Sequence, residues 1–356
     1  MSHGPHLLFF ADAESVHTQR WVTAMVERGW HCSVVSRRHH PIPGATVHAL
    51  STPDGNWAWF AALPRVRRLA ARLRPDIVHG HYVTSYGLWA AACGGAPRVL
   101  TGWGSDILVS PVYNRAVRLV TRFSLRRADL ITADSQDMLD EIAHYRPKAA
   151  LHQIFWGADT AKFRPQPRAL RPFRIVSLRA WEPNYNIDVI LDAVAALRAR
   201  APDEALELHL LGGGALESRL RAQAEALQLG SVVRFHGRVD EDRMAELVNQ
   251  AHVSVSVPSS DATSVALLES MAAGLPVLVS DLPANRQWVD GTGGELLPPR
   301  NPQRLADALA RLLGDPLLAG RMGEANRRKV EPHASRRHQM DRMDRLYREL
   351  LGKAYL

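Results

Sequence analysis

The sequence predicts two doubly wound α/β domains in tandem. Three observations carry this reading. The chain has 356 residues, which at roughly 150 residues per domain is about two domains. Short apolar runs alternate with amphipathic segments along nearly all of it, the pattern of a parallel sheet covered on both faces. The alternation breaks once, at the basic, proline-rich stretch KFRPQPRALRPF (162–173), and then restarts.

The elements follow in order. HLLFFADAES is a buried strand running into a polar turn. Apolar residues at helical spacing (Trp21, Val22, Met25, Val26) predict a helix over 16–28 that Gly29 ends, and HCSVVS (31–36) is the next strand. Helix 61–73, strand 76–82, helix 85–93, strand 98–103, helix 112–127, strand 129–134, helix 135–144 and strand 150–156 complete a first domain, 1–165. The second, 166–334, reads as strand 173–180, helix 187–200, strand 206–214, helix 215–228, strand 232–239, helix 241–250, strand 251–260, helix 264–273, strand 276–281 and a closing helical region. Residues 335–356 form a last helix, with Met340, Met343, Leu346, Tyr347 and Leu350 at helical spacing. In such sheets ligands sit beyond the carboxyl ends of the strands, and the groove between two facing domains is the expected site.

Composition excludes other classes. With 46% hydrophobic and 22% charged residues, the chain is neither disordered nor a coiled coil. No apolar run approaches the roughly 18 residues of a membrane span. Met1 to Phe10 lacks the basic region and long apolar core of a signal peptide. Cys32 and Cys93 are far apart, which suits a reducing, cytoplasmic setting and offers neither a zinc knuckle nor a disulfide framework.

The charge is uneven. Residues 1–165 hold 19 Lys/Arg against 12 Asp/Glu, and residues 166–356 hold 25 against 24. The excess sits on two amphipathic segments. One is Trp57-Ala58-Trp59-Phe60 leading into Arg65, Arg67, Arg68, Arg72 and Arg74. The other is helix 112–127 with Arg115, Arg118, Arg122, Arg126 and Arg127. Such helices read either as sheet-covering helices with basic outer faces or as contacts to an anionic membrane surface. Aromatic residues do not interleave with the basic ones as in a stacking platform, so no nucleic-acid partner is expected.

The most informative stretch is SSDATSVALLESMAAGLPV (259–277). A strand ends at Pro258, and a small polar bend opens a helix that Gly274 and Pro276 stop. Ser264 or Thr263 suits the N-cap. Free N–H groups and the helix dipole make this start an anion site. Asp261 before the helix and Glu269 in its second turn can face one ligand, or can be surface acids on a capped helix.

Asp261, seven residues, Glu269, then Met271-Ala272-Ala273-Gly274-Leu275-Pro276-Val277 resembles the signature of the family-4 retaining glycosyltransferases. The resemblance covers almost the whole chain. Asp76-Ile77-Val78-His79 resembles the family's strand end in the first domain. Trp156-Gly157-Ala158-Asp159 with Phe163-Arg164-Pro165 resembles its segment before the linker. Leu211-Gly212-Gly213-Gly214 and Phe235-His236-Gly237-Arg238-Val239 resemble its next two strand ends. It implies the GT-B fold, with an acceptor in the first domain, a nucleotide sugar in the second, and a last helix that crosses back to the first.

The resemblance also implies roles. Glu269 would accept hydrogen bonds from the ribose hydroxyls, and Asp261 from the donor sugar. The N–H groups of Thr263, Ser264 and Val265 would hold the diphosphate or sugar, the Arg238–Val239 backbone would meet the base, and Gly212 lies in the turn beside them. Arg179 matches the family's phosphate-binding arginine. Cations and N–H donors aimed at the departing diphosphate lower the barrier without a strong general acid, so no metal or other cofactor is expected.

Two departures stand out. The first acid is Asp261 rather than the usual Glu. The lysine that follows the arginine is absent from Trp181-Glu182-Pro183-Asn184-Tyr185-Asn186, so either another residue supplies that cation or Asn184 and Tyr185 bind phosphate as neutral donors. In the first domain Ser15 and His17 open a helix, and Trp103 stands where many relatives have His. Asp106 is then the ionisable candidate there, or part of an ordinary Gly-Ser-Asp turn. His79 and His81 share one strand face, a pair too small for a metal site. Gly212-Gly213-Gly214 opens a helix, yet Glu217 stands where a dinucleotide fingerprint has its third glycine.

The expectation is therefore a cytoplasmic glycosyltransferase, peripheral at the inner face of the plasma membrane. It would use a UDP- or GDP-sugar and a lipid-linked or polysaccharide-precursor acceptor. A sugar-nucleotide epimerase of the same fold, a basic nucleic-acid-binding protein and a nicotinamide dehydrogenase are the alternatives.

Overall fold

The computed structural model describes residues 4–52, 55 and 57–354. Two compact units emerge: Met1–Trp156 with Arg337–Leu356, and Gly157–Arg336.

The first unit is built on seven parallel strands: β1 (His6–Phe10), β2 (His31–Ser36), β3 (Ala45–Ala49), β4 (Ile77–His81), β5 (Arg98–Thr101), β6 (Leu130–Ala133) and β7 (Ala150–Gln153). Their order is β3-β2-β1-β4-β5-β6-β7. Because helices cover both faces, the central strands are buried throughout; every residue of β4, Ile-Val-His-Gly-His, is inaccessible. Gly80 of that strand is required. A Cβ there would lie 2.8 Å from the Gly87 backbone and 2.7 Å from the Ala90 methyl of the covering helix.

The second unit has six parallel strands: β8 (Phe173–Ser177), β9 (Leu206–Leu211), β10 (Val233–Gly237), β11 (Val253–Ser256), β12 (Val277–Ser280) and β13 (Gly294–Leu297). Their order is β10-β9-β8-β11-β12-β13. Its core is aliphatic, with Ile175, Ile190, Leu208, Val255 and Leu309 buried together. Residues 157–165 are tied to this unit: Arg164 N–H donates to Asn249 Oδ1 at 3.1 Å, and Lys162 pairs with Asp242 at 2.6 Å. Two doubly wound α/β units are thus as the alternation predicted.

The helix Arg336–Ala354 packs on the first unit's core through Met340, Met343 and Tyr347. Trp21 Nε1–H donates to Tyr347 Oη at 3.1 Å, and Tyr347 Oη lies 2.6 Å from His79 Nδ1. The tyrosine's own proton then goes to Nδ1. His79, kept neutral by burial, presents Nε2–H to Thr101 Oγ1 at 2.7 Å.

Several element expectations are corrected. The helix expected over 112–127 is two, Ser110–Tyr113 and Arg115–Arg127. Asn114 Oδ1 accepts the N–H groups of Ala116 and Val117, so a new helix starts there. The helix expected from 61 begins at Leu63, after a short helix Trp57–Ala61. β3 was not anticipated: it is an edge strand with no fully buried residue, so its apolar signal is weak. β13, only four residues long, lies inside the stretch read as helical.

Candidate active site

In the second sheet, β8 and β11 are neighbours, with Val253 beside Ile175 and Ser254 beside Val176. From β8 the chain winds to β9 and β10 on one side; from β11 it winds to β12 and β13 on the other. Such a reversal opens a crevice at the carboxyl ends of the two strands. Arg179 follows β8 there, and the bend 258–264 follows β11.

The two segments meet through Arg179, which is only 9% exposed. Its Nη2 donates to Asp261 Oδ2 at 2.6 Å and its Nη1 donates to Ser264 Oγ. The guanidinium lies over the Tyr185 ring, 4.3 Å from its centroid. Burial pushes the Asp261 carboxyl above the usual range, against the opposing pull of Arg179.

Ser264 occupies the N-cap position of the helix Val265–Ala272, but its side chain makes no capping bond. Ser264 is thus the N-cap residue as expected, with its hydroxyl turned to Arg179 instead of the first-turn N–H groups. The first-turn N–H groups lack that capping oxygen, and the helix starts at the residue that Arg179 contacts. The hydroxyl of Thr263, 4% exposed, has no partner. Glu269 lies in the second turn of this helix, 2% exposed, beside buried Leu267, Leu268 and Met271.

The glycine run closes the same corner. A Cβ on Gly212 would stand 2.2 Å from the Arg179 carbonyl oxygen, and one on Gly214 2.5 Å from that of Trp181. Gly212 N–H donates to Gly237 O at 2.9 Å. The run thus brings the ends of β8, β9 and β10 together. Arg238 follows β10, exposed, with Val239 half-buried beside it.

The segment without the lysine has a structural role. Pro183–Tyr185 forms a 3₁₀ turn. Asn184 Nδ2 donates to Ser260 O at 2.8 Å and its Oδ1 accepts Ser260 N–H at 3.1 Å. The Asn184 amide therefore positions the Asp261 bend, with one of its two Nδ2 hydrogens engaged there. Tyr185 supports Arg179 with its ring. Asn186, which the sequence reading passed over, donates to Val257 O and Ser259 Oγ and accepts from Arg300 Nη1.

In the first unit the sheet reverses between β1 and β4. His17, His81 and Trp103 are brought together there. Trp103 lies 5.9 Å from His17 and 5.6 Å from His81, ring centre to ring centre, and Trp156, not anticipated, lies 4.8 Å from Trp103. His81 is 1% exposed with neither ring nitrogen hydrogen-bonded, and burial drives its pKa down to about 3, so it is neutral. Ser15 is the N-cap residue of the helix Val16–Glu27 without a side-chain cap bond.

Asp106 is corrected as a catalytic or acceptor-side group. It is fully buried; its Oδ2 accepts Val83 N–H at 2.6 Å and its Oδ1 accepts Trp103 N–H at 2.9 Å. It fixes the loops after β4 and β5 and turns no oxygen outward. A cavity of about 520 Å³ lies instead beside the ends of β1, β2 and β3, lined by Asp12, Arg37, Arg38, Thr52, Trp59 and Tyr86. Arg37 and Arg38 directly follow the strand 31–36, and that position was the available signal. Among the described residues, no three His, Cys, Asp or Glu form a group that could hold a metal, and no helix is long and apolar enough to cross a membrane.

Comparison with known proteins bears on this arrangement. Residues 6–135 match the family described as Glycosyl transferase 4-like, and residues 159–329 match Glycosyl transferases group 1. The chain belongs to the family-4 glycosyltransferases. A D-inositol 3-phosphate glycosyltransferase of Arthrobacter sp. (strain FB24) is 25% identical, over 88% of this chain and 85% of its own. Sucrose-phosphate synthase from Thermosynechococcus elongatus superposes with a TM-score of 0.82 at 19% identity, covering 98% of this chain and all of its own. Anabaena HepE, solved with UDP-glucose, gives 0.81 at 16%, covering 97% and 99%. This glycosyltransferase therefore has the GT-B fold and is a nucleotide-sugar-dependent enzyme of the retaining, hexosyltransferase type.

Proposed function

We propose that this glycosyltransferase moves a hexose from a UDP- or GDP-sugar to a hydroxyl of a lipid-linked or polysaccharide-precursor acceptor at a cytoplasmic, anionic leaflet. The observation that carries the donor half is Arg179, held by Asp261, Ser264 and Tyr185 before the helix Val265–Ala272. A diphosphate entering there exchanges the Arg179–Asp261 pair for Arg179–phosphate bonds. Asp261 is then released to accept the hydroxyls of the sugar, and the Thr263, Ser264 and Val265 N–H groups complete the anion site. Glu269 accepts the ribose hydroxyls, and the Arg238–Val239 backbone meets the base.

The chemistry follows from that charge. As the bond from the anomeric carbon to the diphosphate oxygen breaks, negative charge grows on the phosphate, where Arg179 and the helix N–H groups stabilise it. The acceptor oxygen bonds the anomeric carbon on the same face, and its proton passes to a phosphate oxygen of the departing nucleotide. This route assigns no step to a metal ion, and activity is expected to persist in EDTA.

The acceptor half rests on the carboxyl edge of the first sheet, with Ser15, His17, Trp103 and His81. The cavity beside Arg37 and Arg38 suits an acceptor carrying phosphate, in line with the inositol 3-phosphate in the name of the Arthrobacter relative. A thermal-shift screen against UDP-, GDP- and dTDP-sugars tests the donor assignment, since a ligand that binds only the native state raises Tm. Selective stabilisation by one base supports it; no stabilisation by any of them removes it. Incubation with the donor alone separates transfer from epimerisation, and an unchanged donor sugar is expected.

A further inference from the structure

The helix Arg115–Arg127 carries a face that the fold does not use. Arg118, Arg122 and Arg126 recur at spacings of four along it and line one wall of a cavity of about 560 Å³. The opposite wall comes from the end of the helix Gln136–His144, with Tyr145 and Arg146. Arg118 is fixed by donating from Nε to Pro111 O at 3.1 Å. Arg122, Arg126 and Arg146 make no side-chain hydrogen bond or ion pair among the described residues, although most other arginines of the chain do. Among the described residues, Glu141 is the one carboxylate lining the cavity, and it lies 3.5 Å from His144. Arg146 also holds a left-handed backbone, φ 51°, which costs a non-glycine residue about 1 kcal/mol or more.

Three guanidiniums without a side-chain partner, facing a single carboxylate around one hollow, leave a net positive site for a multiply charged oxyanion. The rim decides where that anion comes from. Val112 and Leu119 of the lining are 55% and 69% exposed, and Phe123, outside the lining with the Arg127 guanidinium 5.3 Å from its ring centre, is 41% exposed. Leu119 and Phe123 are one turn apart on the helix and present an apolar strip. A free phosphate has no use for such a strip, whereas a lipid phosphate places acyl chain or glycerol carbons next to its charge.

We infer that the cavity between the helices Arg115–Arg127 and Gln136–His144 binds the phosphate headgroup of an anionic lipid, with Leu119, Phe123 and Val112 seated in the interfacial layer. The inference rests on the proposed leaflet contact and sharpens it. A diffuse basic surface responds to total charge, whereas a headgroup site responds to these arginines in particular.

Vesicle flotation with the full chain tests this, using phosphatidylcholine with and without 30% phosphatidylglycerol, a composition we choose as about one anionic lipid in three. Binding is expected only with the anionic vesicles. With each arginine worth about one kcal/mol at such a surface, Arg122→Gln/Arg126→Gln/Arg146→Gln is expected to lower partitioning about a hundredfold. Arg219→Gln/Arg321→Gln/Arg345→Gln removes the same charge from exposed positions elsewhere and is expected to leave partitioning within about threefold. Leu119→Ser/Phe123→Ser is expected to weaken binding most at high salt, where charge is screened. Equal loss in both arginine triples overturns the site in favour of diffuse charge. Full competition by inorganic phosphate, or binding of single-stranded RNA in place of vesicles, overturns the lipid assignment. The nucleotide-sugar thermal shift is read in the same variants and is expected to be unchanged. Its absence would count against the donor reading and leave the vesicle result standing.

Discussion

Arg179 Nη2 lies 2.6 Å from Asp261 Oδ2, a contact that joins the ends of two strands separated by 82 positions in the chain. It makes Asp261 and Arg179 one unit in the resting protein. Under the proposed function both are loosened and re-paired when a charged donor arrives.

The variants of this unit follow from that exchange. Asp261→Ala and Glu269→Ala are each expected to lower turnover at least tenfold in a folded protein, with circular dichroism confirming the fold. Arg179→Lys keeps the charge and loses the fork. Losing one charge-assisted hydrogen bond, about 1.5–3 kcal/mol, lowers kcat/KM roughly 10- to 100-fold. Wild-type kinetics in all three would refute the donor assignment.

Gly212→Ala tests the closeness of the strand ends. The added methyl would meet the Arg179 carbonyl at 2.2 Å, so β8 or β9 must shift. Overpacking of this kind costs about 1–3 kcal/mol. A lower Tm is expected together with a smaller shift on adding UDP-sugar, because the displaced backbone carries Arg179. An unaltered ligand shift would separate the glycine from the site.

Tyr347→Phe removes the hydroxyl shared by Trp21 and His79. Two buried polar atoms then lose their partner, at about 1–3 kcal/mol. The urea midpoint should fall, and the helix Arg336–Ala354 should become more sensitive to protease, whereas a midpoint equal to wild type would argue that the contact is dispensable.

Asp106 predicts a pH dependence. Burial raises its pKa from 3.8 to about 6, although backbone N–H groups pull the other way. The folded state therefore holds this proton more tightly than the unfolded chain. The stabilisation is full below about pH 4 and is lost as pH rises through 6. The loss amounts to on the order of 2–3 kcal/mol by pH 7. Asp106→Asn abolishes the titration. Urea titrations of both proteins between pH 4 and 7 should show wild type losing stability relative to the variant. Parallel curves would contradict the assignment.

Much of this was legible in the residues. The acid pair Asp261 and Glu269 around a helix start, and the strand–helix alternation, are local patterns with direct physical meaning. Contacts that tie distant segments were not legible. Asn184 reads as a neutral donor in a loop, but the fold spends its amide on Ser260. Asp106 reads as an ionisable candidate or part of an ordinary turn, yet its oxygens organise two loops from within. The cavity at Arg37 and Arg38 needs Trp59 and Tyr86, which come from elsewhere in the chain.

The sequence by itself determined the class of fold and the family, because periodicity and motif spacing are set within a few turns of chain. Only the tertiary structure decided which polar groups remain available to a ligand. A side chain's hydrogen bonds are shared out among whatever neighbours packing delivers. Among the described residues, Arg122, Arg126 and Arg146 are left without a side-chain partner for the same reason that both Asp106 oxygens are engaged.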